Sequence, residues 1–137
     1  MLLLMLTPQN QKLPDEFYKI PEPIREQATI IVSGVYGQGR TPCMFRPDGT
    51  RVWALDTWIE VRRVYRGEVA SKFIRINPSM LPDSEYVNRQ LKRGQRYLAL
   101  LRPDEEKTRA IKTKDGISFW NSLRNEEIIA IVELIGK

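Results

Sequence analysis

The side chains best placed to do chemistry are aromatics interleaved with arginines. Trp58 and Arg62 fall on the even positions of one alternating segment, and Phe73 and Arg75 on one side of the next. Ring faces stack on bases or apolar groups, and guanidinium groups between them hold phosphates or carboxylates. That is the chemistry of recognition rather than of bond making. A plainer reading makes Trp58 and Phe73 a cross-strand pair covered by the amino-terminal arm. Two loops add cations: Arg40, Arg46 and Arg51 within Gly37–Arg51, and Lys107, Arg109, Lys112 and Lys114 within Asp104–Lys114. In a barrel these loops would rim a groove, although surface loops are polar in any case.

Catalysis has little to work with. The chain has no histidine and a single cysteine, Cys43, which removes the usual proton shuttle, both triad types, any intramolecular disulfide and any multi-thiolate zinc site. Glu105-Glu106 and Glu126-Glu127 are adjacent pairs rather than spaced acid and base, and read as solvated. Gly34, Gly37 and Gly39 do not fall in the order of a phosphate-cradling fingerprint. Cys43 is expected to be a small, at least half-buried residue. The reading is a binding protein, not an enzyme, with no cofactor and no metal.

At 137 residues the chain suits one domain. No run approaches the roughly 18 apolar residues that span a bilayer as a helix. Its net charge of +5 is uneven. Residues 28–114 hold seventeen basic and nine acidic side chains, a balance of +8, while residues 1–27 carry −1 and residues 115–137 carry −2. The surplus suits a polyanion or an acidic partner, or simply an arginine-rich surface.

Backbone elements must position these residues. Met1–Leu6 (MLLLML) lacks the basic start and the length of a secretory signal; it reads as the tail of an export signal or as a hydrophobic end. Pro8, Pro14, Pro21 and Pro23 make residues 7–27 an arm, with a turn of helix at Ile24–Gln27 and with Phe17 and Tyr18 packed on the body. Ala28–Tyr36 is the first strand, Gly34 marking a bulge, and Gly37 and Gly39 release the chain into a loop. Pro47-Asp48-Gly49 turns between short extended pieces, Cys43–Arg46 and Thr50–Trp53. The second long strand runs to Tyr65 with its odd face inward and its even face wet.

Ser71–Asn77 is the third strand, with Ile74 and Ile76 inward. Asp83–Arg93 has a cap in Asp83 or Ser84, apolar residues Tyr86, Val87 and Leu91 on one side, and Gly94 as a stop, and so predicts a short helix. Gln95–Arg102 is a central strand, Arg109–Thr113 and Ile117–Trp120 a hairpin, and Ile128–Ile135 a last strand. This order predicts a mainly β fold: a five-stranded OB-type Greek-key barrel with one short helix between strands 3 and 4, the main competitor being an open β-sandwich, whose shorter strands would come without that helix. Residues 1–27 are the arm and residues 28–137 the barrel domain.

Four stretches together resemble a family: Ala28–Val35, Trp58–Gly67, Phe73–Ile76 and Leu91–Leu101, the last with Gly94 just before a tyrosine-leucine strand. The resemblance, over about residues 28–135, is to the netrin-like OB domains, which include the tissue inhibitors of metalloproteinases and related bacterial extracytoplasmic proteins. The animal inhibitors chelate zinc through an amino-terminal cysteine; here Cys43 lies well inside the chain, so that activity does not carry over. What the resemblance implies is an exported barrel, secreted or envelope-associated, that binds a protein or envelope partner. A single-stranded nucleic-acid binder in the cytoplasm is the alternative that the basic middle and the Trp58, Arg62, Phe73, Arg75 set allow.

Overall fold

The fold is that of a computed structural model, which describes residues 12–69, 72–78, 81–103 and 127–135, with the backbone alone considered at 41–45 and 52–55. It is mainly β. Two four-residue helices, α1 (Asp15–Tyr18) and α2 (Glu22–Arg25), precede β1 (Ile30–Phe45), β2 (Arg51–Arg66), β3 (Phe73–Arg75), β4 (Arg96–Leu101) and β5 (Ile128–Glu133). All strand pairings are antiparallel, in the order β3-β2-β1-β4-β5, and β3 and β5 form the two edges of an open sheet.

β1 does not end where the glycines suggest. It runs unbroken past Gly37 and Gly39 to Phe45 and pairs with β2 throughout. The turn between them forms as expected: Gly49 N–H donates to the Arg46 carbonyl (2.9 Å) and Arg46 N–H to the Thr50 carbonyl (2.8 Å). Gly49 has φ +87°, open to glycine at little cost. Asp48 Oδ1 accepts from Thr50 N–H (2.9 Å) and Thr50 Oγ1 (2.7 Å). These hydrogen bonds hold the Asp48 carboxyl below its usual range.

The alternation read on β2 is present. Thr57, Ile59 and Val61 are buried, Trp58 and Glu60 half-buried, and Arg62 exposed. Opposite Ser33–Gly34 the register slips, leaving Arg62 as the extra residue of a bulge, so Arg62 and Arg63 both face water before Val64 turns inward. Gly34 is needed there. A Cβ on it would stand 2.2 Å from the Glu60 carbonyl oxygen.

One sheet face gathers the main core, including Val32, Tyr36, Ile59, Ile74, Ile76, Tyr97, Ala99 and Ile131. β4 is buried from Tyr97 to Leu101, as its central place between β1 and β5 requires. The arm covers part of the other face: Phe17, Ile20 and Ala28 pack with Ile31, Leu98, Leu100 and Ala130. Burying a side chain the size of Phe17 stabilises by about 1.5–3 kcal/mol. Tyr18, also expected to pack, remains 58% exposed.

The helix expected over Asp83–Arg93 is not formed. Ser84 Oγ accepts from Tyr86 N–H (3.3 Å) and Asn88 Oδ1 from Gln90 N–H (2.9 Å), local bonds that compete with a helix. The backbone between them is tied to β5. Ile131 N–H donates to the Tyr86 carbonyl (2.9 Å), and Asn88 N–H to the Ile131 carbonyl (2.8 Å). Val87 thereby makes a parallel bridge to Ile131 at the outer edge of β5. The turn read at Ile24–Gln27 falls two residues earlier, as α2, with Pro23 in its first turn. The hairpin read over Arg109–Trp120 lies outside the described residues.

Candidate functional site

Register assembles the candidate face. Trp58 pairs with Arg75 and Glu60 with Phe73. The hydrogen bonds flanking them run from Val61 N–H to the Lys72 carbonyl (2.7 Å) and from Ile76 N–H to the Thr57 carbonyl (3.1 Å). That pattern sets Trp58/Arg75 and Glu60/Phe73 at the closely spaced positions of an antiparallel ladder. The Trp58 and Phe73 rings meet edge to face, with centroids 6.3 Å apart and planes at 88°. Such a contact adds about 0.5–1.5 kcal/mol beyond burial. The cross-strand pair is therefore present, but the arm expected to cover it packs instead against β1, β4 and β5.

The floor beneath Trp58 escaped the sequence reading. Gly37 is its register partner on β1, and a Cβ on Gly37 would lie 2.4 Å from the indole Nε1. A Cβ on Gly39 would lie 2.9 Å from the far end of the ring. The indole thus lies over a strip of β1 cleared of side chains. The signal was the spacing Gly37-x-Gly39 opposite a tryptophan, legible only once the strands are paired.

Carboxylates on β2 were also missed, and they change the electrostatics. Arg75 meets Asp56 in a forked contact, Nε to Oδ1 at 3.0 Å and Nη2 to Oδ2 at 3.0 Å. Arg62 Nη2 lies 2.7 Å from Glu60 Oε1, and Lys72 Nζ 4.0 Å from Glu60 Oε2. Arg62 and Lys72 are more than half exposed, so each of those pairs contributes at most ~1 kcal/mol. Their effect on recognition is larger, because the cations already have carboxylate partners.

The structure unites Trp58, Arg62, Phe73 and Arg75 on one face but not the remaining candidates. Arg40 is exposed on β1 opposite Leu55, and Arg46 sits at the β1–β2 turn. At ~3.3 Å per residue, Arg46 stands roughly 26–30 Å along the ribbon from Trp58. Lys112 lies outside the described residues.

No family model matches this chain, nor does any curated protein or solved structure. Its chemistry must be read from its own residues. Among the described residues no group of three or more Cys, Asp or Glu side chains could hold a metal ion. No helix among them is long and apolar enough to cross a membrane.

Proposed function

We propose that this chain is a non-catalytic protein-binding module on an OB-type Greek-key barrel, acting outside the cytoplasm through the outer face of β2 and β3. The barrel reading is supported by the strand order, which is that of such a barrel with its β3–β5 seam open. It is further supported by the parallel bridge that the chain following β3 makes to β5 at Ile131. The resemblance of residues 28–135 to netrin-like domains supports both the barrel and its export.

One observation carries the binding reading. The Trp58–Phe73 pair stays part-exposed on a glycine-cleared strip, flanked by the Asp56–Arg75 and Glu60–Arg62 ion pairs. A fixed aromatic step ringed by charges of both signs suits a protein surface, where tryptophan and arginine dominate binding energy. It suits a phosphate backbone less well, because each arginine there would have to leave a carboxylate.

Replacing Trp58 and Phe73 by serine is expected to abolish partner capture from host extracts while the circular dichroism of the fold persists. Fractionation of the native host should recover the full-length protein outside the cytoplasm. Undiminished capture would move the site elsewhere; cytoplasmic recovery would remove the export half of the proposal.

A further inference from the structure

We infer that β1, where it runs on beyond the end of β4, takes up an extended acidic segment of a partner protein as an added strand at Gln38 and Arg40. This edge is separate from the β2–β3 face, so the inference goes beyond the reading above.

Backbone direction carries the first half of the argument. Tyr36 N–H donates to the Gln95 carbonyl (3.0 Å), and the Tyr36 carbonyl accepts Gly94 N–H (2.8 Å). Even positions of β1 therefore turn their backbone groups towards β4, and odd positions towards β2. The β1–β2 register runs without a slip from Gly34 to Pro42, so Gln38 and Arg40 keep the direction of Tyr36. β4 begins only at Arg96, and Gly94, with φ +85°, turns the chain off this line before it reaches Gln38. Among the described residues no hydrogen bond is made to the N–H and carbonyl groups of Gln38 and Arg40 on this edge. Such a row of outward donors and acceptors is what an extended peptide pairs with. Pro42, at the next even position, has no N–H and closes the edge.

Charge names the peptide. Arg40 is exposed beside these groups, Lys92 and Arg93 are exposed in the turn that leads to Gly94, and Arg46 is exposed further along the ribbon. The turn is held in place, with Lys92 N–H donating to Tyr97 Oη (2.7 Å) and Gln95 N–H to the Lys92 carbonyl (3.1 Å). Among the described residues none of these four cations has a carboxylate within ion-pair distance, unlike Arg62, Lys72 and Arg75. A strand added at Gln38 and Arg40 would run between Lys92–Arg93 and Arg40, where its carboxylates meet cations that nothing else compensates. A peptide fits better than a phosphate chain, because a phosphate chain has no amide N–H for the Gln38 and Arg40 carbonyls.

A fluorescein-labelled decapeptide of alternating glutamate and valine, titrated with the full chain at low salt and followed by anisotropy, tests the proposal. Saturable binding is expected. The same peptide N-methylated at every residue keeps its charge and loses its donors, and should bind at least about tenfold more weakly. Arg40→Glu and Arg93→Glu should each weaken the unmethylated peptide by a similar factor, and a peptide of alternating lysine and valine should not bind. Amide hydrogen exchange read by NMR gives a second measurement: the Gln38 and Arg40 amides should exchange fast in the free chain and slow down with the acidic peptide bound. No binding at low salt, equal binding of the N-methylated peptide, or unchanged exchange at Gln38 and Arg40 overturns strand addition. Any of these would leave capture through Trp58 and Phe73 untouched, which separates this inference from the broader reading.

Discussion

Trp58 keeps its place because Gly37 and Gly39 carry no side chains, whereas Gly34 is needed for a different reason. At Gly37 the atom in the way of a Cβ belongs to the indole of Trp58, a side chain free to swing outward. At Gly34 the obstacle is the Glu60 carbonyl at 2.2 Å and the Ile59 side chain at 2.6 Å, both fixed in the paired strand. Overpacking costs about 1–3 kcal/mol where neighbours yield, and more where backbone must move. Urea denaturation should therefore find Gly34→Ala more destabilising than Gly37→Ala. Gly37→Ala should in addition render a tryptophan more accessible to acrylamide quenching, which Gly34→Ala need not. Equal losses without a quenching change would mean that the indole does not depend on the strip.

Elements differ in how much of them the residues disclose. β2 was legible because its alternation is local: wet even positions and apolar odd positions suffice to define a half-buried strand. The full reach of β1 was not, since Gly37 and Gly39 read as breakers until β2 lies beside them. The Asp83–Arg93 segment carries true local helix signals, and they lose to hydrogen bonds with Ile131, over forty residues away. Trp58, Phe73 and the arginines were visible by type, while Asp56 and Glu60 gained meaning only from register. The arm adds its own long-range tie, in which the Glu16 carboxylate accepts Ile135 N–H at 2.8 Å. That hydrogen bond is the main cause holding the Glu16 carboxyl below its ordinary 4.5, against a smaller upward push from burial. With the folded value the lower one, the carboxylate's contribution to stability is complete above about pH 4.5 and lost as pH falls through the folded value. Glu16→Gln keeps a carbonyl acceptor and removes the charge. The variant should be less stable than the wild type near neutral pH, with the difference closing as denaturation is repeated at pH 4 and pH 3. A gap that does not change with pH would show that the charge contributes nothing to the latch.

At the scale of the whole molecule the question is whether a basic surplus makes a nucleic-acid binder. The chain carries +5 overall and +8 within residues 28–114, enough to draw polyanions weakly at low salt. Local pairing decides how that attraction is used. Arg75, Arg62 and Lys72 are drawn towards Asp56 and Glu60. Arg40 and Arg46 are exposed on the β1–β2 ribbon, away from Trp58. Among the described residues, a polyanion would therefore meet scattered cations rather than a charged groove running past a stacking ring. Each phosphate neutralised on a single strand adds about 0.7 to the slope of log affinity against log salt, and each stacked base contributes ~1–3 kcal/mol. Fluorescence anisotropy of a labelled oligothymidylate should show weak binding, a shallow slope and no loss on Trp58→Ser, because few phosphates are held together and no base stacks. A steep slope joined to a tenfold or greater loss on Trp58→Ser would invert this reading. It would mean that phosphates displace Asp56 and Glu60 from their arginines and that Trp58 is a base-stacking platform. The ion pairs would then be a resting state of a nucleic-acid interface rather than part of a protein-docking face.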